Sequence, residues 1–280
     1  MSTIFTAPVY RLEELNHLFI ELTAKNCNHR CESCYINFGT NSLTNNKKIK
    51  DFISIDRVKE ALHDTKKDNI HCIYLIGAEP MTHPDFNAIL RLCLKRSNVC
   101  IYTNGSFLNE KKIRFLSKVE AEGENQLFFN LSLVHYLEKE NDNAKYRGNF
   151  RQTFFALKTL SRYCFSTILT IQNYYCLDPV HIEKTFHDLL KEQEIYNVDL
   201  RVINSHSKSI EVNIINKSEK TDCMFGRVLG QNGVYACPFL SSDYRGRVGT
   251  TLKNHAKTMS AESDFCITCS QNNNFLFSIN

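Results

Sequence analysis

The residues best suited to chemistry in this sequence are three cysteines close to its start. Cys27, Cys31 and Cys34 form a Cys-x3-Cys-x2-Cys pattern, so one wrapping loop can present all three sulfurs to one face. A four-iron cube held by three cysteines keeps one iron without a protein ligand, open to a small molecule. A zinc site completed by His29 is the alternative, although His29 lies inside the first cysteine interval, where bending back onto the same metal would be strained.

A second set of cysteines lies near the end of the chain. Four thiolates would saturate a metal site, and the Asn232-Gly233 pair predicts a hairpin that brings two of them together. The same spacing is compatible with an iron–sulfur cluster or with structural zinc. The four candidate ligands are Cys223, Cys237, Cys266 and Cys269.

The remaining five cysteines stand alone. Cys72, Cys93 and Cys100 lie in apolar patterns and are predicted to be core residues. Cys164 and Cys176 flank the fifth predicted strand, and core packing is again the favoured interpretation, with hydrogen-atom donation to a substrate radical as the alternative.

The composition is that of an ordinary globular protein. Of 280 residues, 42% are apolar and 23% charged, and the net charge of +4 is too mild to indicate nucleic-acid or membrane binding. The first residues lack the layout of a signal peptide, so we expect a cytoplasmic protein whose twelve cysteines stay reduced.

The elements that must position these groups alternate between short apolar strands and amphipathic helices. Six strand–helix units indicate a parallel sheet covered by helices, and the chain is too short for eight units, so the predicted fold is α/β, a partial (β/α)6 TIM barrel. We expect this barrel over residues 1–204 and a small cysteine-rich subdomain with a β-hairpin over 205–280. The predicted strands are 18–24, 72–77, 99–105, 127–134, 166–172 and 198–204.

The motifs along this barrel resemble the radical S-adenosylmethionine (radical SAM) superfamily. The cysteine trio follows the first strand, "GAEP" (77–80) the second and "YTNG" (102–105) the third, and a polar serine ends the fourth before "YRG" (146–148). The resemblance implies that Glu79 contacts the SAM amino group, that Ser132 reaches the ribose and that Arg147 holds the carboxylate. The full set it assigns to SAM binding is Tyr35, Gly77, Ala78, Glu79, Pro80, Thr103, Asn104, Ser132 and Arg147.

The resemblance also implies the chemistry. SAM chelates the open iron of a [4Fe–4S] cluster, and one electron from a flavodoxin- or ferredoxin-like donor cleaves it to methionine and a 5′-deoxyadenosyl radical. That radical abstracts a hydrogen atom from the substrate. The sequence assigns no general acid or base.

The second cysteine set resembles the twitch extension of the family, which carries an auxiliary [4Fe–4S] cluster that can accept an electron. The leading hypothesis is therefore a radical SAM oxidoreductase that oxidises a hydroxylated small molecule, such as a sugar or cyclitol. A peptide-modifying enzyme (epimerase or maturase) and a non-catalytic, zinc-stabilised binding protein are the alternatives.

Overall fold

The structure is a computed structural model that describes residues 14–32, 34, 51–204, 226–241 and 246–256. Its described strands form a single sheet in the order β6-β5-β4-β3-β2-β1-β7-β8-β9. The six strands β1 to β6 are parallel neighbours, which confirms the predicted βα repeat. These strands are β1 (His17–Thr23), β2 (Cys72–Gly77), β3 (Asn98–Thr103), β4 (Leu127–Leu133), β5 (Ser166–Asn173) and β6 (Val198–Asn204).

Helices connect the parallel strands. They are α1 (Ile55–Asp64), α2 (Phe86–Leu94), α3 (Glu110–Glu120), α4 (Glu138–Ala144), α5 (Asn149–Arg162) and α6 (Pro179–Glu192), with a 3-10 helix at Pro80–Thr82. Asp178 caps α6, and Asn109 caps α3. The cap of α1 is Ser54, whose hydroxyl accepts a hydrogen bond from the Arg57 backbone N–H. Asp56 lies in the first helical turn, where its negative charge interacts favourably with the helix dipole.

The two faces of the sheet have different neighbours. The outer face carries Leu18, Ile20 and Leu22 of β1 and packs against the apolar stripes of the helices in the main core. The inner face carries Phe19 and Tyr74, whose rings stack with centroids 4.4 Å apart. Each fully buried side chain of this size contributes about 1.5–3 kcal/mol of apolar burial, so both faces hold the sheet in shape.

The C-terminal strands extend the same sheet beyond β1. They are β7 (Arg227–Gly230), β8 (Gly233–Tyr235) and β9 (Arg247–Gly249). Strand β7 runs parallel to β1, and β7 and β8 form the predicted antiparallel hairpin, in which Gly230 pairs with Gly233. The boundary at residue 204 stays a prediction. No helix in the described ranges has both the length and the apolar character that a bilayer span requires.

Candidate active site

The cysteine loop begins at the carboxyl end of β1, the edge at which parallel sheets place their reactive groups. The Thr23 hydroxyl accepts a hydrogen bond from the Asn26 backbone N–H (3.0 Å), which turns the chain just before Cys27. The Asn26 carbonyl then accepts from the backbone N–H of Glu79 (3.0 Å). The first cysteine is thereby fixed against the segment that follows β2.

The close contact between β1 and β2 depends on Gly77. This residue has a φ of +134°, and a Cβ atom there would collide with the Thr23 backbone oxygen. Only glycine has free access to such a conformation. Ala78, the second residue of the "GAEP" motif, lies outside the left-handed region and donates its N–H to the Thr23 oxygen (2.8 Å). Alanine therefore fits at this position without backbone strain.

The far side of the cysteine loop is held by the loops after β4 and β5. The Glu32 backbone N–H donates to the Ala144 carbonyl at the end of α4 (2.9 Å), and the Tyr174 hydroxyl donates to the Glu32 carboxylate (3.2 Å). Three different strand ends therefore position one loop. Ser33 and Tyr35 lie outside the described residues, so the predicted contact of Tyr35 stays a prediction.

The three thiols share a partly buried region. Burial raises the pKa of Cys27 and of Cys31, and the proximity of the other thiols raises it further. The Asn104 side-chain amide approaches the Cys27 sulfur at 3.6 Å, and the His29 backbone N–H donates to the same sulfur (3.3 Å). Donors of this kind stabilise a thiolate, which is the form that binds iron.

Glu79 is a fully buried carboxylate, with 0% of its surface exposed. One oxygen accepts from the Thr103 hydroxyl (2.9 Å) and from the Met81 backbone N–H (3.1 Å), and the other accepts from the Asn104 backbone N–H (2.8 Å). Burial nevertheless raises its pKa to about 7, because these hydrogen bonds offset only part of the lost hydration. Such a carboxylate gains from a nearby cation.

Lys145, which belongs to none of the sequence motifs, supplies that cation. Its side chain is buried (8% exposed), and Nζ donates to the Ser132 carbonyl (2.5 Å) and hydroxyl (2.6 Å) at the end of β4. Burial lowers its pKa, while the three thiols and Glu79 act in the opposite direction. No local sequence pattern indicates this role, because Lys145 reaches Ser132 only through the course of α4, on whose buried face Asn141 also lies.

Arg147, the predicted carboxylate ligand, lies on the surface, and its side chain makes no ion pair with any described residue. Gly148 follows with a φ of +83° and turns the chain into α5. Tyr146 stacks on the ring of His29, with centroids 4.7 Å apart. The predicted role of Arg147 stays a prediction, whereas Lys145 is close enough to the thiols for its charge to lower the pKa of Cys31.

The second cysteine set is described only in part. Cys237 is half-buried and precedes a short 3-10 helix, Pro238–Leu240. The next residue, Ser241, donates its hydroxyl to the Glu21 carboxylate on β1 (2.6 Å), so this segment lies against the barrel. The other three predicted ligands, Cys223, Cys266 and Cys269, lie outside the described residues, and the auxiliary cluster stays a prediction.

The residues present suit a cluster and SAM. Among the described residues, no three His, Cys, Asp or Glu side chains have the spacing of ligands to a single metal ion. Separate irons of a cube each take one sulfur. The ring nitrogens of His29 are buried without a hydrogen-bond partner among the described residues, beside the loop that would hold the cluster. The carboxylate of Glu79 and the ammonium group of Lys145 are complementary in charge to the ammonium and carboxylate groups in the amino-acid part of SAM.

The sequence matches the radical SAM superfamily over residues 22–190, which is more than half of the chain. The chain therefore belongs to this superfamily. Membership implies SAM as a ligand and a [4Fe–4S] cluster, in agreement with the cysteine trio. No curated protein matches the sequence significantly.

Solved structures of radical SAM enzymes share the fold. A structure described as native anSMEcpe with bound AdoMet aligns with a TM-score of 0.63 at 16% identity, over 85% of this chain and 80% of the other. Streptococcus suis SuiB bound to S-adenosylmethionine aligns with a TM-score of 0.58 at 13% identity, over 82% of this chain. The alignment spans 62% of the SuiB chain. At such identities the similarity shows the fold alone.

Proposed function

We propose that this protein is a radical SAM oxidoreductase that cleaves SAM reductively and oxidises a hydroxylated small molecule. The observation that carries the proposal is the cysteine loop, which three strand ends hold beside Glu79 and Lys145. When bound, the cluster and SAM supply a 5′-deoxyadenosyl radical that abstracts a hydrogen atom. The chain binds and orients SAM at the carboxyl edge of the sheet.

We assign the SAM amino acid to two groups of opposite charge. Lys145 is the cation available for the carboxylate, because it lies among the thiols and its two present acceptors, the carbonyl and hydroxyl of Ser132, are neutral. Glu79 faces the same region and favours the ammonium group. Asn104 contacts Cys27 and links the cluster loop to β3, so its role is to fix the loop.

The oxidoreductase class rests on two further features. The inner face beyond the stacked rings of Phe19 and Tyr74 is polar, with Thr170 donating to the Asn130 amide oxygen (2.9 Å), as hydroxylated substrates require. Cys237 lies on a segment that contacts the inner face of β1 through Ser241. An auxiliary [4Fe–4S] cluster bound there would accept the second electron of a two-electron oxidation, with a flavodoxin- or ferredoxin-like protein as donor to the first cluster.

The test is SAM cleavage by the anaerobically reconstituted full chain. With dithionite we expect 5′-deoxyadenosine and methionine in equal amounts, with faster formation when a substrate alcohol is present. Deuterium at the oxidised carbon should appear in 5′-deoxyadenosine. If SAM stays intact after dithionite is added, and the protein holds a metal without visible absorption in place of iron, the proposal is contradicted and the zinc alternative is favoured.

Peptide modification is the second candidate, and the placement of Cys176 favours it. This exposed thiol follows β5 at the same sheet edge as the cysteine loop, whereas Cys164 precedes β5 at the opposite edge. A thiol at the carboxyl edge can return a hydrogen atom to a substrate radical, as epimerisation requires. Incorporation of solvent deuterium into a peptide, lost in Cys176→Ala and retained in Cys164→Ala, would establish this function over oxidation.

A further inference from the structure

Below the cysteine edge, the register of the sheet places four inner-face residues in one layer. Glu21 pairs with Ile76 of β2, and Tyr102 of β3 pairs with Asn130 of β4. The β2–β3 register aligns Leu75 with Ile101, so Ile76 lies beside Tyr102. We call Glu21, Ile76, Tyr102 and Asn130 the polar layer.

The polar layer lies between the cofactor residues and an aromatic floor. Two residues further along β3 and β4 are Asn104 and Ser132, which belong to the SAM region. Two residues back along β1 and β2 are Phe19 and Tyr74, whose stacked rings close the interior. Side chains two apart on a strand share a face, so a molecule beneath SAM meets this layer first.

Glu21 has no cation to balance it. Its side chain is 6% exposed, and it takes part in no ion pair with any described residue. One oxygen accepts from the Ser241 hydroxyl (2.6 Å), and the other lies beside Gly230, where a Cβ atom would come within 3.3 Å of it and within 3.2 Å of the Tyr235 ring. A buried carboxylate with one neutral donor is costly unless a further donor, best a cation, reaches it.

Asn130 adds the complementary group to the same layer. It is 3% exposed, its amide oxygen accepts from Thr170, and its amide nitrogen lies near the Tyr102 hydroxyl without a hydrogen bond of good geometry to any described residue. The polar layer thus offers an acceptor with negative charge at Glu21 and a neutral donor at Asn130. A ligand that satisfies both carries an amine and a hydroxyl group.

We propose that the polar layer is the substrate-recognition site and that Glu21 binds the ammonium group of an amino alcohol, with a hydroxyl of the same molecule at Asn130. This inference rests on the proposed function and narrows its substrate class from hydroxylated molecules in general to cationic ones. Glu21 is a binding residue here, and no covalent step is assigned to it.

The test compares matched amines and alcohols on the reconstituted full chain with SAM bound. The pairs are ethanolamine against ethylene glycol, and glucosamine against glucose, measured by calorimetry near neutral pH. We expect at least one amine to bind roughly tenfold more tightly than its alcohol, as for a hydrogen bond to a charged group. Glu21→Gln should abolish this preference, and Glu183→Gln, an exposed change of equal charge on α6, should keep it.

Gly230→Ala provides a second test in case Glu21→Gln folds poorly. A Cβ atom there would lie 3.3 Å from the free Glu21 oxygen, so it should weaken amine binding while the carboxylate stays in place. Equal or undetectable binding of amine and alcohol to the wild-type chain overturns the inference, as does a preference that survives Glu21→Gln. Deoxyadenosine formation by the wild-type chain without substrate is measured separately, so failure of SAM chemistry is distinguishable from failure at Glu21.

Discussion

The cofactor edge and the polar layer each contain a buried glutamate, and the two differ in how many donors surround it. Glu79 at the edge accepts three hydrogen bonds, and Lys145 lies nearby. Glu21 in the layer accepts one from a side chain, and it forms no ion pair with any described residue. Burial raises the pKa of both to about 7. The donors around Glu79 at the cofactor edge are therefore in place before a ligand binds. Glu21 in the polar layer lacks a second donor, which a substrate can supply.

The largest effect is expected from removing a cluster ligand at the edge. Cys31→Ala leaves two sulfurs for three irons, so the SAM-responsive cluster should be lost and deoxyadenosine formation abolished. Electron paramagnetic resonance of the reduced protein, with and without SAM, measures this directly. Cys164→Ala removes an exposed thiol at the opposite edge and is the control. A SAM-responsive signal in Cys31→Ala would show that the trio does not hold the cluster.

The second prediction distinguishes the roles of Lys145 and Arg147 in binding SAM at the cofactor edge. Lys145→Met should weaken SAM binding roughly 10- to 100-fold, because a buried charge-assisted hydrogen bond to the carboxylate is lost. Arg147→Met changes an exposed side chain of the same charge two residues away and should alter the affinity less than about twofold. Equilibrium binding of SAM to the reconstituted chain gives both values. The reverse order would support the sequence-based assignment of Arg147.

These two cations show what the sequence could and could not predict. The six strands were predictable because each is a short apolar run, and Glu79 was predictable because its motif is local. The role of Lys145 was not predictable, because it depends on the way in which α4 returns the chain to Ser132 at the end of β4. The burial of Glu21 was not predictable either, because a single glutamate in a strand is expected to face solvent. Only the tertiary structure shows that β7 and Ser241 cover it.

The hairpin illustrates the same limit. Its turn chemistry predicted β7 and β8, and the structure contains both. The parallel pairing of β7 with β1 joins segments far apart in sequence, and no local pattern encodes that register. Most of the barrel and the cysteine loop were therefore predictable, whereas the tertiary partners of the buried charges were not.

The third prediction concerns the donors around Glu79. Glu79→Gln replaces one accepting oxygen with a donating amide, which then faces an N–H or O–H donor. We expect a loss of about 1–3 kcal/mol in the free energy of unfolding and a weaker affinity for SAM. Urea unfolding and SAM binding measure the two effects.

Glu120→Gln is the matched control for this change. Its carboxylate accepts from one backbone N–H, that of Leu127 (2.7 Å), so glutamine can keep the bond. A smaller loss of stability and unchanged SAM binding are expected. Equal effects of Glu79→Gln and Glu120→Gln on stability and on SAM binding would show that Glu79 has only a structural role.

The smallest effect is a pH dependence of stability that comes from Glu21. Burial raises its pKa from 4.5 to about 7, so between these values the folded chain binds the proton more tightly than the unfolded chain does. Stability from this group is therefore present at low pH and is lost as the pH rises through that interval. The shift corresponds to at most about 3 kcal/mol.

Glu21→Gln should reduce this loss, since glutamine stays neutral and its oxygen can still accept from Ser241. Urea unfolding at about pH 5 and about pH 7 gives the change in stability for each variant. Glu79 titrates in the same direction, so part of the slope must remain, and the exposed Glu183→Gln should keep all of it. An unchanged slope in Glu21→Gln would mean that the carboxylate is already balanced without a ligand, which would remove the contrast between the layer and the edge.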